Sequence, residues 1–299
     1  MNSRPASAGS ERDDRPKVGL GLPAADPAVL LDWARRADAG PFSSLGLLDR
    51  LVYDNPEPLV TLAALATATS RIRLQTEVLI APVHNTAVLA KQTATLDRIA
   101  GGRFTLGIGV GGREDDFRAA GTDVRRRGSR LDEQMALLRR TWAGEPYGED
   151  AGPIGPAPLT PGGPEVLFGG FVPAALERVA RWGDGFLGAG LPPQAMDDLF
   201  RQVESVWDRH GRAGRPRLVA QVNAVLGPDE VIAEARRNAH RYYSFGGDLA
   251  DQVVESMLTT AGQIRAAVDA YTGIGADEVV FYCWGTDPGQ VERLAETLF

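Results

Sequence analysis

The sequence predicts an α/β protein: a (β/α)8 TIM barrel forming one domain over residues 17–299, preceded by a disordered tail over residues 1–16. Two observations carry this. Short apolar runs and amphipathic segments alternate eight times from residue 17 to the C-terminus. Eight consecutive β/α units point to a closed barrel, since a doubly wound sheet more commonly has about five to seven strands. The second observation is a motif that fails its context. "GIGVGGRED" (107–115) sets Gly107, Gly109 and Gly112 in the G-x-G-x-x-G spacing of dinucleotide-binding sites. That spacing has meaning when it closes the first strand of a βαβ unit and opens a helix at once, with an acid at a strand end about 20 residues on. Here three β/α units precede it, and Asp132 and Glu133, at the right distance, fall inside a helical pattern.

The elements follow in order. "KVGLGL" (17–22) reads as the first strand, and the next helix has Asp26 as N-cap, Pro27 at its first position and Gly40 as its stop. "SSLGLL" (43–48) is the second strand, with a helix over 56–70. "RIRLQTEVLI" (71–80) is the third, with Ile72, Leu74, Thr76 and Val78 expected on one face. A helix from Thr86 to Ala100 then sets Val88, Leu89, Gln92, Leu96 and Ile99 on one stripe. "RFTLGIG" (103–109) is the fourth strand, and a charged loop leads to a helix marked by Leu131, Met135, Leu138 and Trp142. Residues 143–164, dense in Pro and Gly, read as a surface excursion. "EVLF" (165–168), "GDGFLGA" (183–189), "RLVAQVN" (217–223) and "DEVVFYC" (277–283) supply strands five to eight. Helices are expected from Pro173, around Met196–Trp207, from Asp229 to about Tyr271 with a break at 245–247, and around Val291–Leu298.

Composition narrows the function classes. Hydrophobic residues make up 43% and charged residues 24%, enough for a sizeable core in an ordinary globular protein. A net charge of −7 argues against a nucleic-acid or membrane-surface partner. Cys283 is the single cysteine, which rules out an intrachain disulfide, and the three histidines are too scattered to suggest a metal centre. The N-terminal stretch lacks the apolar core of a secretory signal and no run has the length of a membrane span, so a cytoplasmic location is expected.

In such barrels the active site forms at the C-terminal ends of the strands. The glycines after strand four, and Gly169-Gly170 with Phe171 and Val172 ahead of a helix beginning at Pro173, offer backbone N–H groups to an anion or a flat ring. Spacing alone leaves open whether these loops merely turn tight corners. "AKQTATLDRIAGGRFTLGIGVGGREDDFRAAG" (90–121), "GGFVPAALERVARWGDGF" (169–186), "LLDR" (47–50) and "RGSRLDEQMALLRRTWAGEP" (127–146), joined by "GQIRAAVDAYTGIGADEVVFYCWG", resemble the bacterial luciferase-like superfamily of flavin-dependent oxidoreductases.

The resemblance implies a barrel binding FMN or the deazaflavin coenzyme F420 at the strand C-termini. It implies a cis peptide at Glu77–Val78 against the ring, with Glu77 where many members have a small residue. It further implies that Val110 and Gly111 line the cofactor, that Gly169, Gly170, Phe171 and Val172 hold its phosphate, and that Asp49 is an acid near the pyrimidine edge. Many members follow that acid with a proton-handling histidine, where this chain has Arg50. An arginine cannot serve as a base at neutral pH. It can stabilise an anionic flavin or substrate, or form a salt bridge with Asp49 or Asp54. The deazaflavin branch's acid after the glycines is absent at Gly112. His84 either replaces the missing histidine or helps cap the helix from Thr86.

The expected activity is therefore a flavin-dependent oxidoreductase. The leading form is a monooxygenase using O2, a small organic substrate and reduced FMN from a separate flavin reductase. The alternatives are an F420-dependent hydride-transfer enzyme and a flavin-binding protein without turnover. A homodimer is expected from the family. Cys283, Trp33, Trp142 and Trp207 are expected to pack in the core; Tyr53 and Asp54 either meet substrate in the loop after strand two or are simply exposed there, and Arg113 either meets the phosphate or is simply exposed.

Overall fold

The computed structural model describes residues 15–299, so residues 1–14 of the expected tail lie outside the described residues. Eight parallel strands close into a barrel. They are β1 (Lys17–Gly21), β2 (Ser44–Leu47), β3 (Arg73–Thr76, resuming at Leu79–Ile80), β4 (Phe104–Gly109), β5 (Glu165–Gly169), β6 (Gly185–Gly190), β7 (Arg217–Asn223) and β8 (Glu278–Tyr282). β1 pairs with both β2 and β8, and the ring closes where β3 pairs with β4.

Helices wrap the outside, and local chemistry fixes their starts. Asp26 accepts a 2.8 Å bond from Ala28 N, ahead of Pro27 at the first helical position. Trp33, Trp142 and Trp207 pack in the core as expected. No helix among the described residues is long and apolar enough to cross a membrane.

Three expectations are corrected. The charged loop after β4 contains a helix, Glu114–Ala120, whose first-turn acids suit the positive helix end and whose C-cap, Gly121, takes φ 66°. The stretch after β7 breaks twice, into helices Asp229–Tyr243, Leu249–Glu255 and Ala261–Gly273. The second break carries no Gly or Pro, and its signal is the capping box between Thr260 and Gln263. In helix Thr86–Ile99 the buried stripe runs through Leu89, Thr93 and Leu96, which leaves Val88 and Ile99 exposed on the far side. With Val60 they line a shallow apolar groove of about 440 Å³.

Inside the barrel, alternate strand positions stack in layers. At the N-terminal end the layer is ionic. Glu165 accepts from Arg217 at 2.6 Å and from Thr105 at 2.7 Å, and Glu278 accepts from Arg217 and from Ser44 at 2.6 Å. Above it Leu167, Leu187, Val219 and Val280 form an apolar layer. Breaking a buried ion pair by removing one partner costs about 3–5 kcal/mol, because the remaining charge is left uncompensated. Arg217→Met should accordingly lower the unfolding free energy by about 3 kcal/mol in a denaturant titration. Adding Glu278→Gln should restore part of the loss.

Candidate active site

At the C-terminal rim, β3 carries a one-residue bulge. Gln75 faces Thr105 and Leu79 faces Ile108, which is four steps along β3 (75 to 79) against three along β4 (105 to 108). Side chains change face at every step, so the extra residue reverses the alternation. Below the bulge Gln75 and Glu77 point into the barrel. Above it Val78 turns inward against the apolar layer. The Glu77–Val78 peptide is cis. Val78 therefore does not share a face with Ile72, Leu74 and Thr76, as the unbroken alternation of the sequence led one to expect.

Glu77 turns down into the barrel, away from the rim. Its carboxyl group accepts from Gln75 Nε2 and, at 3.0 Å, from Gln221 Nε2. Gly46 leaves the room it needs, since a Cβ there would overlap the carboxyl carbon. Burial pushes this carboxyl up to about 8, helped by Glu278, against the pull of the Gln75 hydrogen bond. It is thus largely protonated at neutral pH. Of the pair named for cofactor contact, Val78 faces the rim and Glu77 lies beneath it.

Around Val78 the rim is built of glycine corners. A Cβ on Gly109 or on Gly169 would come within 2.8 and 2.9 Å of the Val78 methyls, so only glycine allows this approach. Val110, Gly111, Gly169 and Gly170 are half-buried here, and Gly170 takes φ 135°, where a side chain would be strained. Helix Pro173–Trp182 opens just beyond, with no side chain capping it at Val172. Among the described residues, the backbone N–H groups of Gly170, Phe171 and Val172 donate no hydrogen bond within the protein. Free N–H groups at the positive end of a helix suit a phosphate, and a floor of glycine and valine suits a flat ring. The residues present therefore fit a phosphorylated tricyclic cofactor.

On the β2 side, Asp49 Oδ2 accepts from Ile80 N at 2.8 Å and stands 3.6 Å from His84 Nε2. That imidazole nitrogen is buried and has no hydrogen-bond partner. His84 does not cap the following helix. Asn85 does, accepting from Ala87 N and Val88 N at 3.0 and 3.2 Å.

Arg50 is committed elsewhere. It is buried and lies 3.3 Å from Asp116, not beside Asp49 or Asp54. It donates to the Val52 carbonyl at 3.1 Å and stacks over the rings of Tyr53 and Tyr242 at 5.1 and 5.2 Å. Asp116 in turn accepts from Leu51 N and Val52 N at 3.1 and 2.7 Å. This knot ties the loop after β2 to helices Glu114–Ala120 and Asp229–Tyr243, and makes Arg50 a structural clamp. Arg113 is paired with Asp115 and stacks on Phe245 at 4.6 Å. Cys283 is buried, which pushes its thiol far up and leaves it inert.

Gln221, Asn223 and Asp116 did not emerge from the sequence as site residues. The signal for the first two was present in "RLVAQVN". Its alternate residues Arg217, Gln221 and Asn223 are polar within a strand that both helices and barrel must bury.

A family model for luciferase-like monooxygenases matches residues 10–297. The chain belongs to the luciferase-like monooxygenase family, and it is an oxidoreductase. The expectation of a flavin-binding protein without turnover gives way to this. An uncharacterized protein of Mycobacterium tuberculosis is 30% identical over 208 residues, which cover 60% of this chain and 71% of that one. An F420-dependent glucose-6-phosphate dehydrogenase of Kineococcus radiotolerans is 27% identical over 87% of this chain and 88% of its own length. In structure, monooxygenase RslO1 from Streptomyces bottropensis superposes with a TM-score of 0.77 at 23% identity, covering 94% of this chain and 97% of that one.

Two outcomes follow for this luciferase-like enzyme. A carboxyl whose pKa is raised on folding binds a proton that the unfolded chain releases, so stability falls as pH rises between the two values. For Glu77 that window runs from 4.5 to about 8. Glu77→Gln should therefore match the parent near the bottom of the window and exceed it in stability near the top, as read by thermal melts across pH. Arg50→Met should destabilise by about 3 kcal/mol by stranding Asp116, and Arg50→Met with Asp116→Asn should recover much of it. A loss of turnover that persists in the stabilised double variant would instead give Arg50 a direct role.

Proposed function

We propose that the enzyme binds reduced FMN on the C-terminal face of the barrel and works as a monooxygenase on a small organic substrate. O2 is the co-substrate, and a separate flavin reductase supplies the reduced cofactor. The observation that carries the binding is the Val78–glycine cup, with the unpartnered N–H groups of Gly170, Phe171 and Val172 at its edge. When bound, reduced FMN supplies the electrons that activate O2, whereas reduced F420 would supply a hydride.

The chain's own residues do the rest. Val78 and the glycines set the height of the ring. The helix beginning at Pro173 fixes the phosphate, and the neutral Glu77 carboxyl beneath the floor places no negative charge under electron-rich rings. His84 stands 3.6 Å from Asp49 at this rim with its buried Nε2 unpartnered, and is the group placed to handle a proton there. The absence of histidine at position 50 and of an acid at position 112 supports oxygenation over sugar-type hydride transfer.

A second reading, F420-dependent hydride transfer, is favoured by the similarity along nearly the full chain to the Kineococcus enzyme and by His84, which offers the base such chemistry needs. Absorbance titrations of the purified protein with FMN and with F420 decide between them. Saturable FMN binding with substrate-linked O2 consumption is expected. Selective F420 binding would move the assignment to the second reading, and binding of neither would overturn both.

A further inference from the structure

Of the carboxyl groups inside the barrel, Glu165 and Glu278 are paired with Arg217, whereas Glu77 meets no cation among the described residues. It is 4% exposed, and its partners are two neutral amides, Gln75 on its own strand and Gln221 on β7. The charges that act on it come from the ionic layer, where Glu278 pushes it up and Arg217 pulls it down. On the β2 side it packs on Gly46, and the Tyr282 hydroxyl on β8, buried and pushed far up, brings no charge. A buried carboxylate without a counter-charge is costly, so the acid form is favoured.

The acid form has an acceptor at hand. Gln75 Oε1 is buried and has no hydrogen-bond partner. An amide that donates through Nε2 to a carboxylate can turn over and accept through Oε1 from a carboxylic O–H. Gln75 can therefore serve both charge states of Glu77 in place, which lets this carboxyl titrate without repacking the barrel. Glu77 adjoins Val78, and its carboxyl lies beneath the floor that Val78 forms. Reduced FMN carries a negative charge on its ring at neutral pH and above, whereas the oxidised ring is neutral and the phosphate is common to both. Charges are weakly screened inside a protein, so an ionised carboxyl under the floor would disfavour the reduced ring and leave the oxidised one nearly untouched.

We propose that Glu77 makes the site selective for the redox state of its cofactor: the anionic reduced ring and a proton on Glu77 are bound together, while the neutral oxidised ring makes no such demand. The inference rests on the FMN reading above. The proton is drawn from solvent and returns there once the ring is neutral again. The coupling is reciprocal, so the reduced ring strengthens the hold on the proton by the factor that the proton strengthens the hold on the ring. Affinity for reduced FMN is therefore greatest while Glu77 is protonated and falls as rising pH removes that proton.

Anaerobic titrations of the full-length protein with reduced and with oxidised FMN read the coupling. The ratio of the two affinities should fall about fivefold from about pH 7 to about pH 9, as expected if the reduced ring strengthens the hold on the proton about tenfold. In Glu77→Gln, which cannot ionise, the ratio should stay flat. Infrared spectra of the cofactor-free protein, grown with 13C-labelled glutamate, should show the carbonyl band of a buried protonated carboxyl that fades as pH rises through about 8. At about that pH the band should grow on adding reduced FMN and not on adding oxidised FMN, a measurement that needs no variant. A band missing at about pH 6, a band indifferent to the redox state added, or a ratio that falls as steeply in folded Glu77→Gln would each overturn the proposal and leave the FMN reading standing. If FMN binds in neither redox state, the FMN reading and the proposal fall together.

Discussion

The extra residue in β3 is the constraint on which the rim depends. Without it the strand would keep its alternation and Val78 would face the helices. With it, Glu77 and Val78 both serve the interior, one beneath the floor and one forming it. The same shift brings the Ile80 N–H to Asp49, which then stands beside His84. A single change of parity thus links the apolar layer, the glycine cup and the Asp49–His84 pair.

Glycine is the partner of that bulge. Val78 can lie over β4 and β5 because Gly109 and Gly169 offer no side chain, and Glu77 can fold into the barrel because Gly46 does the same. Around the apolar layer, a few long polar residues reach across glycine-lined space inside the barrel. Each of those polar groups then needs a partner. Gln75 and Gln221 meet Glu77, while Arg217 meets Glu165 and Glu278.

Much of the fold was legible because each strand is a short apolar run between turn residues. "RFTLGIG" and "RLVAQVN" land on β4 and β7 almost residue for residue. The glycine corners were legible too, since 109, 111, 169 and 170 stand at strand ends. The periodicity of "RIRLQTEVLI" hides the bulge, because it alternates cleanly; only the family resemblance pointed to it, through the cis peptide expected and found at Glu77–Val78. The partner of Arg50 was hidden for a related reason. Its partner, Asp116, is 66 positions away in a helix that the sequence shows only as a charged loop, and proximity in sequence favoured Asp49 and Asp54. His84 and Asn85 illustrate the finer limit. Either could cap the helix at Thr86, and the backbone gave that task to Asn85, which freed the imidazole to turn toward Asp49.

The placement of charge follows from what each group can shed. At the N-terminal end of the barrel, guanidinium and carboxylate neutralise each other in a fixed network, as suits a layer with only structural work. At the rim the permanent cation of Arg50 is withdrawn by pairing with Asp116 and by the cover of Tyr53 and Tyr242. The buried carboxyl nearest the floor is kept neutral by its own desolvation. What remains beside the cup is the His84 imidazole, 3.6 Å from Asp49 and with its buried Nε2 unpartnered.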